Sequence, residues 1–220
     1  MQGFFSFMRE FKTVIFDLDS TLVPFEGLLE IAHQKGFDGE IEKITQQGNE
    51  GEIPFSESLS KRLEIIKPSK EDIGWLARLY KGNVIFGSQE TIDTLKALDI
   101  NVYLISGSFQ DAVEELGNYL GIPTQQCFSN ILAFDENGEY AGIDLSQDLA
   151  TTKGKGILLN KLNLPRKIAL VGDGSTDLEA KEFVDLFIGF GGVVKRDIVK
   201  ENAQIFIEKA DMREVLKYII

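Results

Sequence analysis

The sequence predicts an α/β protein in which a parallel sheet carries an all-helical insertion after its first strand. Short apolar, β-branched runs alternate with helical patterns from residue 84 onward, whereas residues 27–80 contain helical patterns without a convincing strand. Strands that alternate with helices along a chain are typical of parallel sheets. We therefore predict a core domain formed by residues 1–22 and 84–220 and a helical domain formed by residues 23–83.

The insertion contains helical patterns in succession. They cover residues 27–35, 39–47 and 54–66, and a further one begins after Ser69. Pro68 follows the third pattern and ends it, because proline cannot continue a helix. Acidic residues come directly after Ser69, and a serine before an acidic first turn is a common helix N-cap. The insertion is therefore predicted to be entirely helical.

Outside the insertion, strand and helix patterns alternate to the end of the chain. Strands are predicted over residues 14–16, 101–105, 168–171, 186–188 and 204–207, and helices over residues 88–98, 109–120 and 155–162, from Ser175 and from Asp211. The segments 131–134 and 140–143 flank Asn137-Gly138. Because Asn-Gly suits the positive φ of a tight turn, these two segments are predicted to form a hairpin.

Composition and charge exclude several classes of protein. The chain has 220 residues, 43% of them apolar and 26% charged, which is typical of a globular protein with a substantial core. No apolar run approaches the roughly 18 residues of a membrane span. The net charge of −12 argues against non-specific binding to nucleic acid or to an anionic membrane. A phosphorylated ligand would need local positive charge, or a metal cation, to offset this field.

The N-terminal segment and the cysteine content bear on location. Residues 1–8 are apolar but have neither a basic start nor a small-residue cleavage site, so we expect them to pack on the core and not to form a signal peptide. Cys127 is the only cysteine, which excludes an intramolecular disulfide and a cysteine-based zinc site. A single cysteine fits a reducing compartment, and we expect a cytoplasmic protein.

The most informative residues are Asp17 and Asp19, which directly follow the first strand. Side chains alternate along a strand, so the two carboxylates start on the same side, at the sheet edge where α/β proteins bind ligands. Neighbouring carboxylates repel unless a cation lies between them or one of them holds a proton. The pair is predicted to bind a metal, to provide a nucleophile and an acid–base group, or both. An isolated Asp-x-Asp is more often a turn or a helix cap, so its context matters.

Three further motifs follow predicted strands or begin predicted helices. They are Ser106-Gly107-Ser108, Lys153-Gly154-Lys155-Gly156 and Gly172-Asp173-Gly174-Ser175-Thr176-Asp177. A serine hydroxyl with helix N-terminal amides can bind an anion, and glycine allows the tight turns that such sites need. Aspartates that converge from two strand ends form an oxygen-only site, which suits Mg²⁺. Together with the Asp17 and Asp19 pair, these motifs predict one functional site.

In this order, the motifs resemble those of the haloacid dehalogenase superfamily of aspartate-nucleophile phosphatases, and most closely the branch that hydrolyses phosphoserine. The resemblance runs from about residue 13 to residue 207 and includes the segments 47–66, 137–142 and 187–192. It implies a Rossmann-like catalytic core, a small helical cap that determines substrate specificity, and Mg²⁺-dependent hydrolysis of O-phospho-L-serine to L-serine and phosphate. The partner it implies is a small phosphorylated amino acid.

The resemblance assigns the chemical steps to motif residues. Asp17 would attack phosphorus and form an aspartyl-phosphate, and Asp19 would protonate the leaving oxygen and then activate water. The groups that would hold or neutralise the phosphoryl oxygens are Ser106, the Gly107 amide and Lys153. The family pattern favours Lys153 for neutralisation, although the spacing leaves Lys155 open.

A metal site and a specificity pocket are implied in the same way. Asp17, Asp173 and the Asp19 carbonyl would hold Mg²⁺, with Asp177 supporting them. Glu26 would pair with the substrate ammonium, and Arg62 would provide a bidentate fork for its carboxylate. The remaining substrate-binding residues would be Phe55, Thr176 and Arg196. Asn49 departs from the family pattern, which usually has an apolar methionine lining the substrate site at this position.

Alternative functions remain open at this point. A related capped enzyme could act on phosphohomoserine or phosphoethanolamine, or could pass the phosphoryl group to an alcohol as a phosphotransferase. Arg62 favours a substrate that has a carboxylate, which argues against phosphoethanolamine. A phospho-accepting receiver domain would have a similar acidic pocket, but Asp19 and the long insertion argue against it.

Overall fold

The protein was described from a computed structural model, which covers residues 11–37 and 39–220. The apolar segment 1–8, for which we predicted packing on the core, lies outside the described residues. The strands are β1 (Thr13–Phe16), β2 (Asn101–Phe109), β3 (Cys127–Asn130), β4 (Leu132–Phe134), β5 (Tyr140–Ile143), β6 (Ile168–Gly172), β7 (Leu186–Phe190) and β8 (Ile205–Ile207).

The helices alternate with these strands. They are α1 (Gly27–Gln34), α2 (Glu40–Asn49), α3 (Phe55–Ile66), α4 (Lys70–Gly82), α5 (Ser88–Ala97), α6 (Gln110–Tyr119), α7 (Gly154–Leu162), α8 (Ser175–Glu179), α9 (Asp197–Asn202) and α10 (Leu216–Ile219). Short 3₁₀ turns cover Thr124–Gln126, Asp148–Ala150, Lys181–Phe183 and Met212–Val215. None of the helices in this part of the chain is both long and apolar enough to cross a membrane.

Six strands of the described chain form one parallel sheet, in the order β3-β2-β1-β6-β7-β8. The central strand β1 pairs with β2 on one side and with β6 on the other, so that Phe16 lies opposite both Leu104 and Val171. The carboxyl ends of these three strands therefore meet at one edge of the sheet. The predicted α/β class and parallel sheet are confirmed, and β4 and β5 form the predicted antiparallel hairpin.

The core consists of an apolar layer on each face of this sheet. Every residue of β1 is buried; Val14 and Phe16 contribute to the larger layer, whereas Ile15 contributes to the smaller one. This division follows from the alternation of side chains along a strand. A strand buried on both faces is typical of a parallel sheet covered by helices, and it explains why the first strand is a continuous apolar run.

Helices α1 to α4 lie between β1 and β2, where the sequence predicted the insertion, and we refer to them as the cap helices. The predicted N-cap of α4 is present as a capping box. The Asp72 amide donates to Ser69 Oγ at 3.2 Å, and the Ser69 amide donates to the Asp72 carboxylate at 2.7 Å. These bonds satisfy two backbone donors that the helix end would otherwise leave free.

Strand β2 differs from the prediction, because it continues past residue 105 to Phe109. Its register with β3 shifts after Ile105, and side chains of β3 hold the irregular part in place. Ser129 Oγ donates to the Ser106 carbonyl at 3.0 Å, and Asn130 Nδ2 donates to the Gly107 carbonyl at 2.7 Å. Polar side chains thus extend the strand beyond the residue at which the hydrophobic pattern predicts its end. The patterning missed β3 and α9 altogether, since both are short and at least half of the residues in each are polar.

We predict that Leu104→Ala destabilises the protein by about 2–5 kcal/mol, because it leaves a cavity beside the central strand. Leu104 is completely buried, whereas Leu145 is 67% exposed. Urea unfolding followed by circular dichroism measures the change, and Leu145→Ala is the matched control, for which we expect little effect. Equal stability losses in the two variants would contradict the assignment of Leu104 to the core.

Candidate active site

Three buried aspartates lie together at the carboxyl edge of the sheet. Asp17 follows β1, Asp173 follows β6, and Asp177 lies in the first turn of α8. One carboxylate oxygen from each lies within 4.8 Å of the others. The Asp17 amide donates to the Val171 carbonyl at 2.9 Å, which continues the β1–β6 pairing and aligns the two strand ends. The register of the sheet therefore creates this cluster.

The turn between β6 and α8 brings Asp177 into the cluster. The Gly174 amide donates to Asp177 Oδ2 at 3.1 Å, and a Cβ added at Gly172 would lie 2.2 Å from the Asp177 carboxyl carbon. Only glycine leaves this space for the carboxylate. Asp173 is held in turn by Thr21, whose hydroxyl donates to Asp173 Oδ1 at 3.0 Å.

The chemistry of this donor set fits a divalent metal cation. Three carboxylates are hard oxygen ligands, and a cation between them would offset their mutual repulsion. Asp17, Asp173 and Asp177 all belong to the set of residues from which the sequence predicted the metal ligands. Asp19, the fourth of that set, lies at the same strand end but is not among the clustered carboxylates. The predicted ligand atom of Asp19 is its backbone carbonyl and not its carboxylate.

The lysine beside Asp17 is Lys155 and not Lys153, so the preference for Lys153 is wrong. Lys155 Nζ lies 2.9 Å from Asp17 Oδ1 and 2.5 Å from Asp177 Oδ1, and its side chain is 4% exposed. Lys153 is exposed, precedes the first turn of α7, and contacts Glu179 through its backbone amide at 3.1 Å. At the start of α7, Lys155 is therefore buried in the site, whereas Lys153 is exposed to solvent.

A sequence signal for Lys155 exists in its neighbours. A Cβ added at Gly154 would lie 2.1 Å from the Asp148 carbonyl oxygen, and one added at Gly156 would lie 2.6 Å from the Phe183 ring. Both glycines therefore mark close packing, and the lysine between them is buried with them. Flanking glycines thus identify the buried lysine better than its place in the motif does.

Burial and neighbouring charges shift the pKa values of Lys155 and Asp177. Burial alone would lower the pKa of Lys155, but the carboxylates of Asp17 and Asp177 raise it above its ordinary value. Burial, together with the charge of Asp17, raises the pKa of Asp177 to about 7 although Lys155 opposes the shift. Lys155 is therefore a permanent cation that is shared by two carboxylates.

Asp19 occupies a different environment at the same strand end. Burial, followed by the negative charge of Glu26, raises the pKa of Asp19 well above its ordinary value. Tyr80 Oη donates a hydrogen bond to Asp19 Oδ1 at 2.7 Å, and the Gly27 amide donates to the same carboxyl group. A carboxyl whose environment favours the protonated form can donate a proton.

A small cavity of ≈50 Å³ connects these carboxylates with the cap helices. The predicted site residues that line it are Asp17, Asp19, Glu26, Phe55, Arg62, Ser106, Gly107, Asp173 and Thr176, together with Asn49 and Lys155. Phe55 covers Gly107 so closely that an added Cβ would lie 2.8 Å from the ring. Of the predicted site residues, Lys153, Asp177 and Arg196 are not part of the cavity wall.

Glu26 and Arg62 project from the cap helices into this cavity. Glu26 Oε1 accepts hydrogen bonds from Ser20 Oγ at 2.9 Å, Asn49 Nδ2 at 2.9 Å and Arg196 Nη2 at 3.3 Å. Arg196 also contacts the carboxylate of Asp173, so it joins the metal cluster to Glu26.

Arg62 is buried and hydrogen bonds only to neutral groups. Its Nε donates to the Ser58 carbonyl at 3.2 Å, and its Nη1 donates to Thr45 Oγ1 at 3.4 Å. Within the described chain, no carboxylate lies in ion-pair distance of this guanidinium, and burial lowers its pKa. The charges of Glu26 and Asp19 oppose this shift without forming an ion pair. A buried cation without an ion pair favours an anionic ligand, because such a ligand would replace the lost hydration.

The sequence interpretation missed Tyr80, Ser108 and Thr21, each of which contacts an aspartate of the site or a neighbour of one. Tyr80 Oη lies 2.7 Å from both Asp19 Oδ1 and Ser108 Oγ. Tyr80 lies within a helical pattern of ordinary amphipathic character, and no local signal distinguishes it from a core residue. Ser108 belongs to a recognised motif and Thr21 lies two residues after Asp19, so their positions could have suggested a role.

Comparisons with known proteins agree with this geometry. Residues 11–182 match the model of the haloacid dehalogenase-like hydrolase family. The chain is 40% identical to phosphoserine phosphatase of Bos taurus over 197 residues, which covers 88% of each chain. Two solved structures are 33% identical with a TM-score of 0.83 and cover 96% of this chain. One is a phospho-aspartyl intermediate analogue of phosphoserine phosphatase, covered over 100% of its length, and the other is a substrate-bound phosphoserine phosphatase complex, covered over 99%.

We predict that Lys155→Met destabilises the protein by about 3–5 kcal/mol, because it leaves buried carboxylates without their cation. Lys153→Met is the matched control, and we expect little change because this side chain is exposed. Urea unfolding in a metal-free buffer measures both variants. A larger loss in Lys153→Met than in Lys155→Met would contradict the placement of the two lysines.

Proposed function

The chain belongs to the haloacid dehalogenase-like hydrolase family, and we propose that it hydrolyses O-phospho-L-serine to L-serine and phosphate through an aspartyl-phosphate. One observation carries the proposal: Asp17 and Asp19 share a cavity with Glu26 and Arg62. The first pair suits phosphoryl transfer, and the second suits the ammonium and carboxylate of an amino acid. The similarity to phosphoserine phosphatases over most of the chain supports the same substrate.

In the proposed reaction, Asp17 is the nucleophile and Asp19 the acid–base group. An Asp17 oxygen forms a bond to phosphorus while the bond from phosphorus to the serine oxygen breaks, and Asp19 gives its proton to that oxygen. Asp19 then takes a proton from water, which attacks phosphorus and releases phosphate from Asp17. The raised pKa of Asp19 supports its role as the acid in the first step.

The proposed phosphate subsite is formed by Ser106, the Gly107 amide, Thr176 and Lys155. The Ser106 hydroxyl accepts the Ser108 amide at 3.2 Å, which leaves its own proton available for a phosphoryl oxygen. Lys155 replaces Lys153 in the earlier assignment, because its ammonium lies beside Asp17 and would neutralise charge on the phosphoryl group.

The proposed metal is Mg²⁺, held by the Asp17 and Asp173 carboxylates and the Asp19 carbonyl, with Asp177 in support. Bound there, Mg²⁺ would neutralise charge on the phosphoryl oxygens. The support for this choice is the all-oxygen donor set, since Mg²⁺ prefers a few carboxylates together with water and phosphate oxygens.

The proposed specificity pocket uses Glu26 for the substrate ammonium and Arg62 for its carboxylate. Phe55 would form a wall of the pocket, and Arg196 would add positive charge near the substrate. Asn49 donates to Glu26, so its amide shares the carboxylate to which the ammonium would bind.

Related substrates and two organisational points belong to the same proposal. Phosphohomoserine hydrolysis and phosphoryl transfer to an alcohol remain the alternatives, whereas membership of the hydrolase family contradicts a receiver domain.

We also propose that residues 23–83 act as a cap domain on a core of residues 1–22 and 84–220, which the unbroken run of cap helices supports. A cytoplasmic location is part of the proposal and is supported by the single cysteine.

We predict Mg²⁺-dependent phosphate release with a preference for L-phosphoserine in a panel of phosphate esters. The panel also contains D-phosphoserine, phosphothreonine, phosphohomoserine, phosphoethanolamine and 4-nitrophenyl phosphate. Asp17→Asn should lower kcat roughly 10⁴-fold or more, because it removes the nucleophile. Removal of the metal by a chelator should abolish activity, and added Mg²⁺ should restore it.

The panel separates the parts of this prediction. Hydrolysis of 4-nitrophenyl phosphate alone would contradict the substrate but not the role of Asp17. Wild-type turnover by Asp17→Asn would contradict the nucleophile. Appearance of a phosphorylated alcohol, when an alcohol acceptor is added, would favour a phosphotransferase.

We predict that Arg62→Ala lowers kcat/KM for phosphoserine by about 10- to 150-fold, since it removes a charged hydrogen-bond partner of the carboxylate worth about 1.5–3 kcal/mol. The same variant should lose much less on 4-nitrophenyl phosphate, which has no carboxylate. Glu26→Gln tests the ammonium contact with the same two substrates. Arg78→Ala is the control, because Arg78 lies in cap helix α4 but outside the cavity. Equal losses on both substrates would contradict the pocket assignment.

A further inference from the structure

A buried tyrosine of the cap helices is hydrogen bonded to the carboxyl group that carries the proton in the proposed reaction. Tyr80, in the last turns of α4, is completely buried, and its hydroxyl lies 2.7 Å from Asp19 Oδ1. The same hydroxyl lies 2.7 Å from Ser108 Oγ. Tyr80 does not line the cavity, so it would act on the reaction only through the residues that it contacts, Asp19 and Ser108.

The donors and acceptors of this group have one consistent arrangement when Asp19 Oδ1 has no proton. A carboxylate oxygen without a proton can only accept, so Tyr80 donates its single hydroxyl proton to Asp19 Oδ1. The tyrosine oxygen can then accept from Ser108 Oγ–H, which makes a chain from Ser108 through Tyr80 to Asp19. Because Oδ1 is occupied as an acceptor, a proton on Asp19 is directed to its other oxygen, Oδ2.

Packing holds the tyrosine ring in one position. Its ring is stacked on Phe25, with centroids 5.8 Å apart and planes 7° apart. On another side, a Cβ added at Gly27 would lie only 2.0 Å from Tyr80 Oη. Both Gly27 and Phe25 belong to the start of the cap helices, and the Gly27 amide also contacts Asp19. The packed ring therefore fixes the position of the hydroxyl relative to Asp19.

Ser108 connects this chain to the proposed phosphate subsite. Its amide donates to Ser106 Oγ at 3.2 Å, while its side chain contacts Tyr80. One residue of β2 thus positions both the serine that would bind a phosphoryl oxygen and the tyrosine that contacts Asp19. The phosphate subsite and the acid–base carboxyl are joined by three short polar contacts.

We propose that Tyr80, supported by Ser108, is the positioning residue that directs the proton of Asp19 to Oδ2, toward the oxygen that leaves phosphorus. This inference rests on the proposed function, because it assumes that Asp19 protonates the leaving group. It follows that Tyr80 matters most for esters whose leaving oxygen is a poor leaving group, since these need a proton in the transition state.

The test measures kcat/KM for a series of aryl phosphates, from 4-nitrophenyl phosphate to phenyl phosphate, in wild type and in Tyr80→Phe. This parameter reports the steps up to the release of the alcohol, and it excludes the later hydrolysis of the aspartyl-phosphate. Tyr80→Phe should lose about tenfold or more on phenyl phosphate and less than about threefold on 4-nitrophenyl phosphate, because general-acid catalysis contributes about 10²–10⁴-fold overall. The dependence of log(kcat/KM) on leaving-group acidity should become steeper.

A second variant and a control keep the test decisive. Ser108→Ala leaves the tyrosine ring in place and should steepen the dependence in the same direction, by a smaller amount; if Tyr80→Phe does not fold, this variant decides. Tyr103→Phe changes a tyrosine that stacks on Phe128 away from the cavity, and it should keep the wild-type slope. An unchanged slope in Tyr80→Phe, with or without a uniform loss of rate, would overturn the proposal.

The series also separates this inference from the proposed substrate. Phosphoserine hydrolysis by the wild type is measured alongside it, and its absence would contradict the substrate. The slope for aryl phosphates would still decide the role of Tyr80, because these esters contain neither the ammonium nor the carboxylate of serine.

Discussion

The site depends on the burial of three carboxylates together with an ammonium group that pairs with two of them. Asp17, Asp173 and Asp177 lie close enough to share a cation, and Lys155 is buried beside Asp17 and Asp177. Like charges in a medium of low polarity repel strongly, so this arrangement requires both a rigid sheet edge and opposite charge. The β1–β6 register provides the first, and Lys155 provides part of the second. Gly172 follows from the same constraint, because the Asp177 carboxylate leaves no room for another side chain at that position.

The cap helices extend this electrostatic arrangement away from the sheet. Glu26 adds a carboxylate to the cavity and is balanced by Arg196, which also contacts Asp173. Arg62 adds a cation that has no ion-pair partner among the described residues. The chain as a whole has a net charge of −12, which repels a phosphate ester at long range. Local cations in the cavity are therefore what would make it attractive to such a ligand at short range.

Much of the architecture was predictable from the sequence, because hydrophobic periodicity and strand-end motifs are local properties. Residues 14–16 were recognisable as a buried strand, and Asp17 followed as a residue at its carboxyl end. The β2 extension to Phe109 was not predictable, since it depends on side chains of Ser129 and Asn130 on a strand that is distant in sequence. The choice between Lys153 and Lys155 failed for a related reason: Lys155 pairs with Asp17 and Asp177, which are distant in sequence, and the local motif does not indicate these contacts.

The charges around the cavity also explain why binding of a metal, binding of a ligand and protonation of Asp19 would depend on one another. Across the described site, five carboxyl groups (Asp17, Asp19, Glu26, Asp173 and Asp177) meet three basic side chains (Lys155, Arg62 and Arg196), an excess of two negative charges if all are ionised. One divalent cation would balance this excess. A phosphorylated ligand would then bring negative charge again, which favours a proton on Asp19, a carboxyl of the cavity wall whose pKa is already raised. Metal binding, ligand binding and protonation of Asp19 are thus coupled through the charge of the site. A neutral ligand would not benefit from this coupling.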